Sequence, residues 1–298
     1  MKSRRGLRRG CFQILCLLAG VFFCEISSWA QFAPQTACQN PSAPRTSIYY
    51  VNGVTTTLDE ARLNGGKLEL EFLTRLPAMP TPLPSTCYLF FLNYNPTSGE
   101  VKDFTESGQQ RLGLSPSDMW RKLETFTSLG PTMVPLLQGP MTSANQIDQA
   151  SVQRHAEAYR AQLTPPLCRR VVVVPHSQGN FYANAAYEIA LAPAPSPAPA
   201  SGTLRIVGVA TPDTQVKGNG RYRTSTGDLL IGAIDIFLPQ TLNANTNWGP
   251  NPLLTSFTPL YSGGHSYMGY LSFNPSRNDI LNDIQASLVE VNAVTVCP

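Results

Sequence analysis

The sequence predicts an α/β domain, a mostly parallel sheet with helices on both faces. Three observations carry that expectation. Residues 171–174 are four consecutive valines, which suits a strand covered on both sides, as strands of parallel sheets are. Short β-branched and aromatic runs alternate along the chain with longer helical stretches. Of the 298 residues, about 268 remain after an N-terminal export segment, enough for one large domain with a full core.

The N-terminal 30 residues read as a secretory signal. Lys2, Arg4, Arg5, Arg8 and Arg9 form a charged head, Cys11 to Cys24 is apolar, and Ser28-Trp29-Ala30 offers a cleavage site before Gln31. An apolar run of roughly 14 residues is short for a bilayer span, so no transmembrane segment is expected in the mature chain. The head holds five of the 22 lysines and arginines and Glu25 is one of the 19 acids, leaving 17 against 18. The formal charge of +3 therefore belongs to the export segment, and nothing in the mature chain calls for nucleic acid or an anionic membrane. The expected location is the periplasm or the medium, with residues 31–298 as a single domain.

Cysteine usage agrees with export. Cys38, Cys87, Cys168 and Cys297 remain after cleavage and allow three pairings. The expectation is Cys38–Cys297, tying the ends, with Cys87–Cys168. No C-x-x-C or H-E-x-x-H pattern occurs, so neither a metal nor another cofactor is expected.

Ser47 to Val51 reads as the first clear strand, broken by Asn52-Gly53, and Thr57 to Leu73 as a helix loosened by Gly65-Gly66. A proline-rich passage, Pro77 to Pro84, leads to a second strand at Cys87 to Leu92. Helices are expected from Ser117 to about Leu129 and from Asn145 to Leu163, the latter stopped by Pro165-Pro166. The valine strand and an alanine-rich helix from Asn180 follow. Residues 192–201 form a Pro/Ala-rich surface loop. Leu204 to Ala210 and Arg221 to Ser225 read as further strands. Asn278 is expected to cap a closing helix to Val291, with Ile280, Leu281, Ile284 and Leu288 on one face.

The chemistry gathers at Val174-Pro175-His176-Ser177-Gln178-Gly179-Asn180. A strand running through a tight turn into a helix exposes Ser177 Oγ above the sheet and aims a helix N-terminus at whatever the serine attacks. Gly179 lets the helix approach the strand. A serine hydroxyl needs a base within hydrogen-bond reach, and the chain has three histidines. His176 adjoins the serine and is expected to pack beside the turn. His155, among Gln153, Arg154 and Glu157, reads as a solvated surface residue. His265, after the flexible run Tyr261-Ser262-Gly263-Gly264, is left as the base. An acid must orient the imidazole, and Glu188, Asp213, Asp228 and Asp235 lie between Ser177 and His265.

These residues resemble the α/β-hydrolase superfamily, particularly lipase- and esterase-like members whose nucleophile elbow reads His-Ser-Gln-Gly after a Val-rich strand. The resemblance spans roughly residues 46–291. It implies the α/β-hydrolase fold, a Ser…acid…His order met by Ser177 and His265, and an acid after a late strand, which favours Asp228 over Asp213 and Asp235. It also implies an oxyanion hole from the Gln178 amide and from the amide of Gly53 or Val54 after the first strand. Two departures stand out. Pro175 occupies the first glycine position of G-x-S-x-G, and Asn52 replaces the histidine of the lipase His-Gly motif.

The expected activity is cleavage of a small-molecule or lipid carboxylic ester by an exported serine hydrolase, with amide or thioester cleavage as near variants. The stretch Leu242 to Gly264, holding Trp248, Phe257 and Tyr261, would cover part of the cleft. The alternative is a catalytically inactive binding or scaffold protein of the cell envelope that kept this fold, motivated by Pro175 and Asn52.

Overall fold

Besides a three-residue strand at Trp29–Gln31, the described residues form five strands and five helices: β1 (Arg45–Val51), α1 (Leu58–Arg75), β2 (Cys87–Asn93), α2 (Gln149–Leu163), β3 (Arg170–Pro175), α3 (Gly179–Leu191), β4 (Leu204–Val209), β5 (Arg221–Arg223), α4 (Tyr267–Ser272) and α5 (Asn274–Asn292). The computed structural model describes residues 29–31, 45–53, 56–80, 83, 86–96, 149–193, 199–228, 231, 240–246 and 265–297. The chain divides into two units, Met1–Ala30 and Gln31–Pro298, and the ten labelled elements lie in the second. The export segment, the helix expected at residues 117–129, Cys38, Val54, Asp235 and the cleft cover at residues 247–264 fall wholly or mainly outside the described residues.

The strands lie in the order β2-β1-β3-β4-β5, and each adjacent pair is parallel. Side chains alternate between faces along a strand, and β1 makes the layering visible. On one face Ser47 Oγ donates to Gln162 Oε1 of α2 at 2.9 Å, and the Tyr49 ring meets Tyr159 of α2 edge-on. On the other face Tyr50 OH accepts from Asn64 Nδ2 of α1 at 3.3 Å, and its ring centroid lies 4.6 Å from that of Tyr267 in α4. Helices thus cover both faces, α2 with α3 on one and α1, α4 and α5 on the other. Val171 to Val174 are completely buried between them. This is the expected α/β architecture.

Local signals explain the element ends. Thr57 and Glu60 close a capping box at the start of α1. The helix runs through Gly65-Gly66 without a break; Gly65 is buried, and a Cβ on Gly66 would point into open space. No helix among the described residues is long and apolar enough to cross a membrane.

Three expectations are corrected. His155 is not solvated but buried, because it shares the α2 stripe of Ser151 and Tyr159 at i±4 spacing, and this stripe packs on α3. Its ring faces Tyr159 and Tyr182. The closing helix begins at Asn274, one turn before Asn278, with Pro275 in its first turn, where proline's missing N–H costs nothing. Its buried face contains Ile280, Leu281, Ile284 and Leu288 as expected.

The third correction is the disulfide pairing, which is Cys168–Cys297, with Cα atoms 5.7 Å apart. α5 packs across β3, β4 and β5. Arg170, at the start of β3, donates to the Val291 and Val294 carbonyls at 2.8 and 3.1 Å, so Cys297 arrives beside Cys168. A Cys87–Cys168 bridge is out of reach because β1 separates β2 from β3, and two strand spacings of roughly 4.8 Å exceed the Cα separation a disulfide spans. Cys87 is itself disulfide-bonded.

Candidate active site

In a parallel sheet ordered 2-1-3-4-5, the connections leave β1 and β3 in opposite directions, which opens a crevice beyond their carboxyl ends. Asn52-Gly53 follows β1 and His176-Ser177 follows β3, so both motifs meet at that crevice.

The turn after β3 is held from three sides. His176 N–H donates to Val51 O at 2.9 Å and Ser177 N–H to Val209 O at 3.0 Å, tying it to β1 and β4. Since His176 supplies the donor to Val51, the ladder needs none from Pro175 there. Asn180 Nδ2 donates to Ser177 O at 2.8 Å and to Val209 O at 3.1 Å. Ser177 takes φ +53°, left-handed backbone that a non-glycine residue adopts at a cost of roughly 1–2 kcal/mol. Its hydroxyl is thereby turned toward the base.

Two close approaches need glycine. A Cβ on Gly179 would stand 2.7 Å from Asn52 O and 2.8 Å from Val51 O, so α3 begins against the end of β1. A Cβ on Gly53 would stand 2.6 Å from Ser177 Cβ. Asn52 holds this loop: its Nδ2 donates to Asn95 O at 2.7 Å and to Gly53 O at 3.1 Å, and its Oδ1 accepts from Asn95 N–H at 2.6 Å. Asn95 Nδ2 in turn donates to Gln178 Oε1 at 3.2 Å. The loops after β1 and β2 and the elbow are thus joined by one run of carboxamides. Gln178, as N-cap of α3, and Gly53 both flank the serine; Val54 lies outside the described residues.

Ser177, His265 and Asp228 come together although 88 and 37 residues separate the successive contacts. Ser177 Oγ–H donates to His265 Nε2 at 2.8 Å. His265 Nδ1–H donates to Asp228 Oδ2 at 2.9 Å and Oδ1 at 3.0 Å. The carboxylate can only accept, so this pairing puts the proton on Nδ1 and leaves the Nε2 lone pair for the serine. The Asp228 side chain is fully buried. Burial pushes its pKa up, but His265 and the hydrogen bonds from His265, Ile231 N–H and Tyr270 OH outweigh this and hold it below the ordinary carboxylate value.

His176 does pack beside the elbow, and it also reaches the base: its Nε2–H donates to His265 O at 2.7 Å. Burial, and secondarily the neighbouring His265, push the His176 pKa down to about 3, so the ring stays neutral. Asp213 is engaged elsewhere, accepting from Asn184 Nδ2 at 2.7 Å, and Glu188 pairs with Lys217 at 2.7 Å.

Tyr270, Asn95 and Asn180 are parts of the site that the sequence reading does not reach. Tyr270 OH donates to Asp228 Oδ2 at 2.9 Å. A faint signal existed for it: Tyr267 and Tyr270 lie one turn apart just after His265, and a buried phenol needs a hydrogen-bond partner. The asparagines had none, because Asn95 meets partners in loops distant in the chain and Asn180 joins its own turn to the end of β4.

Chemically, the arrangement offers an activated hydroxyl, a base of defined tautomer, a buried carboxylate behind it, and backbone amides at a helix N-terminus. No family model, no curated protein and no solved structure matches this chain.

Proposed function

We propose that this protein is an exported serine hydrolase of the α/β-hydrolase type, cleaving carboxylic esters through an acyl-enzyme. The single observation that carries the reading is the continuous hydrogen-bonded line from Ser177 Oγ through His265 to Asp228, entirely buried and at 2.8 to 3.0 Å. Export is supported by the charged and apolar N-terminal segment and by the Cys168–Cys297 bridge.

In the first half-reaction His265 Nε2 takes the Ser177 proton as Oγ bonds to the ester carbonyl carbon. The carbonyl π electrons move to oxygen, where the amides of Gln178 and Gly53 are the donors available to stabilise the charge. Asp228 stabilises the imidazolium without taking its proton. The tetrahedral species collapses, the carbon–alkoxy bond breaks, and His265 returns the proton to the leaving alcohol. A water molecule then repeats the sequence on the acyl-enzyme, releasing the acid and restoring Ser177.

A fluorophosphonate probe tests this directly, together with p-nitrophenyl esters of increasing chain length. The folded wild type should label covalently and turn over short esters, whereas Ser177→Ala should do neither. Equal labelling of the two proteins, or no labelling of folded wild type, would favour the non-catalytic binding alternative.

A further inference from the structure

We propose that Tyr270 is a positioning residue that sets the basicity of the candidate triad, by holding a phenolic hydrogen bond on the far side of the Asp228 carboxylate. Its catalytic consequence rests on the serine hydrolase reading; the coupling between the groups does not.

The geometry is specific. Tyr270 OH accepts from Ser225 N–H at 2.8 Å and directs its one proton at Asp228 Oδ2, 2.9 Å away. The other carboxylate oxygen accepts from Ile231 N–H at 3.0 Å. Asp228 therefore meets His265 with one neutral donor on each oxygen and no exposure of its side chain to water. Each donor stabilises the carboxylate charge and so weakens its pull on the imidazolium proton. Burial, first, and the adjacent Asp228 charge, second, hold the Tyr270 pKa well above its ordinary value, which keeps the phenol a donor.

The other titratable groups packed around the pair do not compete for this role. His176, from the elbow, stays neutral, and Tyr267, from α4, stays protonated. Among the described residues, Arg223 of β5 is engaged with Asp283 and Asp279 of α5.

Tyr270→Phe keeps the ring and deletes the donor. With three histidines in the chain, the His265 ring can be followed by nitrogen-15 NMR, assigned with His155 and His176 variants. The expected result is a titration midpoint about 0.5–1 pH unit higher than wild type, the electrostatic share of a hydrogen bond to a charged group. 3,5-Difluorotyrosine at position 270, a stronger donor of nearly the same shape, should move the midpoint downward, and it serves as the test should the phenylalanine variant not fold. An unchanged midpoint in either folded variant, or a shift of the opposite sign, would overturn the proposal. The NMR readout needs no turnover, so an inactive wild type with the expected shifts would count against the hydrolase reading alone. If turnover exists, the acid limb of kcat/KM should follow the same shifts, which a merely structural tyrosine would not produce.

Discussion

Gly53→Ala places one methyl group where the site has least room. The added carbon would stand 2.6 Å from Ser177 Cβ, 2.9 Å from His176 Nδ1 and 3.0 Å from His176 O. Carbon atoms in contact sit about 3.5–4.0 Å apart, so something must move by roughly 1 Å. Ser177 cannot move freely, being tied to Val209 O, to Asn180 and to His265. If it yields, a misplacement of about 1 Å costs about 10²-fold. If the loop after β1 yields instead, the proposed oxyanion donor withdraws, at roughly 10²–10³ in kcat. Both routes give the same expectation, a fall in kcat/KM of roughly 10²–10³, carried mainly by kcat. Overpacking should also lower stability by about 1–3 kcal/mol. The assay is p-nitrophenyl butyrate hydrolysis at 25 °C alongside urea unfolding. Gly66→Ala is the control: no atom lies within 4 Å of its new Cβ, so it should gain about 1 kcal/mol of helix stability with activity unchanged. A folded Gly53→Ala protein with kcat/KM within about threefold of wild type would refute the contact between Gly53 and Ser177, and with it the assembly of the site at this crevice.

Two further perturbations separate the carboxylate from the scaffold. Asp228→Asn keeps the shape but removes the pure acceptor that holds the His265 tautomer, so kcat should fall by about 10⁴; a loss under tenfold would show that another group orients the base. Because Asp228 is held below its ordinary pKa, its charge stabilises the fold fully above about pH 4 and progressively less as pH falls through the depressed folded value. The same variant should therefore flatten the acid side of the stability profile measured by urea midpoint against pH. Replacing Cys168 and Cys297 together by serine opens a loop with a sequence separation of 129 and should cost roughly 2–5 kcal/mol. Activity below the melting transition should survive, since the bridge precedes β3 and the site lies beyond the strands' carboxyl ends; an unchanged unfolding midpoint would contradict the stabilising role.

The valine run is legible as a strand because burial on both faces leaves no polar alternation, and Ser177 stands out because a strand-turn-helix junction presents its middle residue. His265 is reachable by elimination, being the one histidine after the serine, whereas the choice of Asp228 among four carboxylates rests on the resemblance to α/β-hydrolases. His155 was misjudged because its chain neighbours are charged, whereas a helix buries by its i±4 stripe and not by adjacency. The disulfide was misjudged because pairing depends on which strand lies between two others.

Read alone, the chain fixes local matters: where strands and helices form, which turn carries the serine, and which residue types could serve it. These follow from backbone propensity, capping and the spacing of apolar residues, all readable over a few positions. Partnership emerges with the folded arrangement. Asn52 grips Asn95, Asn95 reaches Gln178, Tyr270 leans on Asp228, and Cys297 meets Cys168. Hydrogen bonds and disulfides act over a few ångströms in space, and separation along the chain carries no information about them until the sheet order is known.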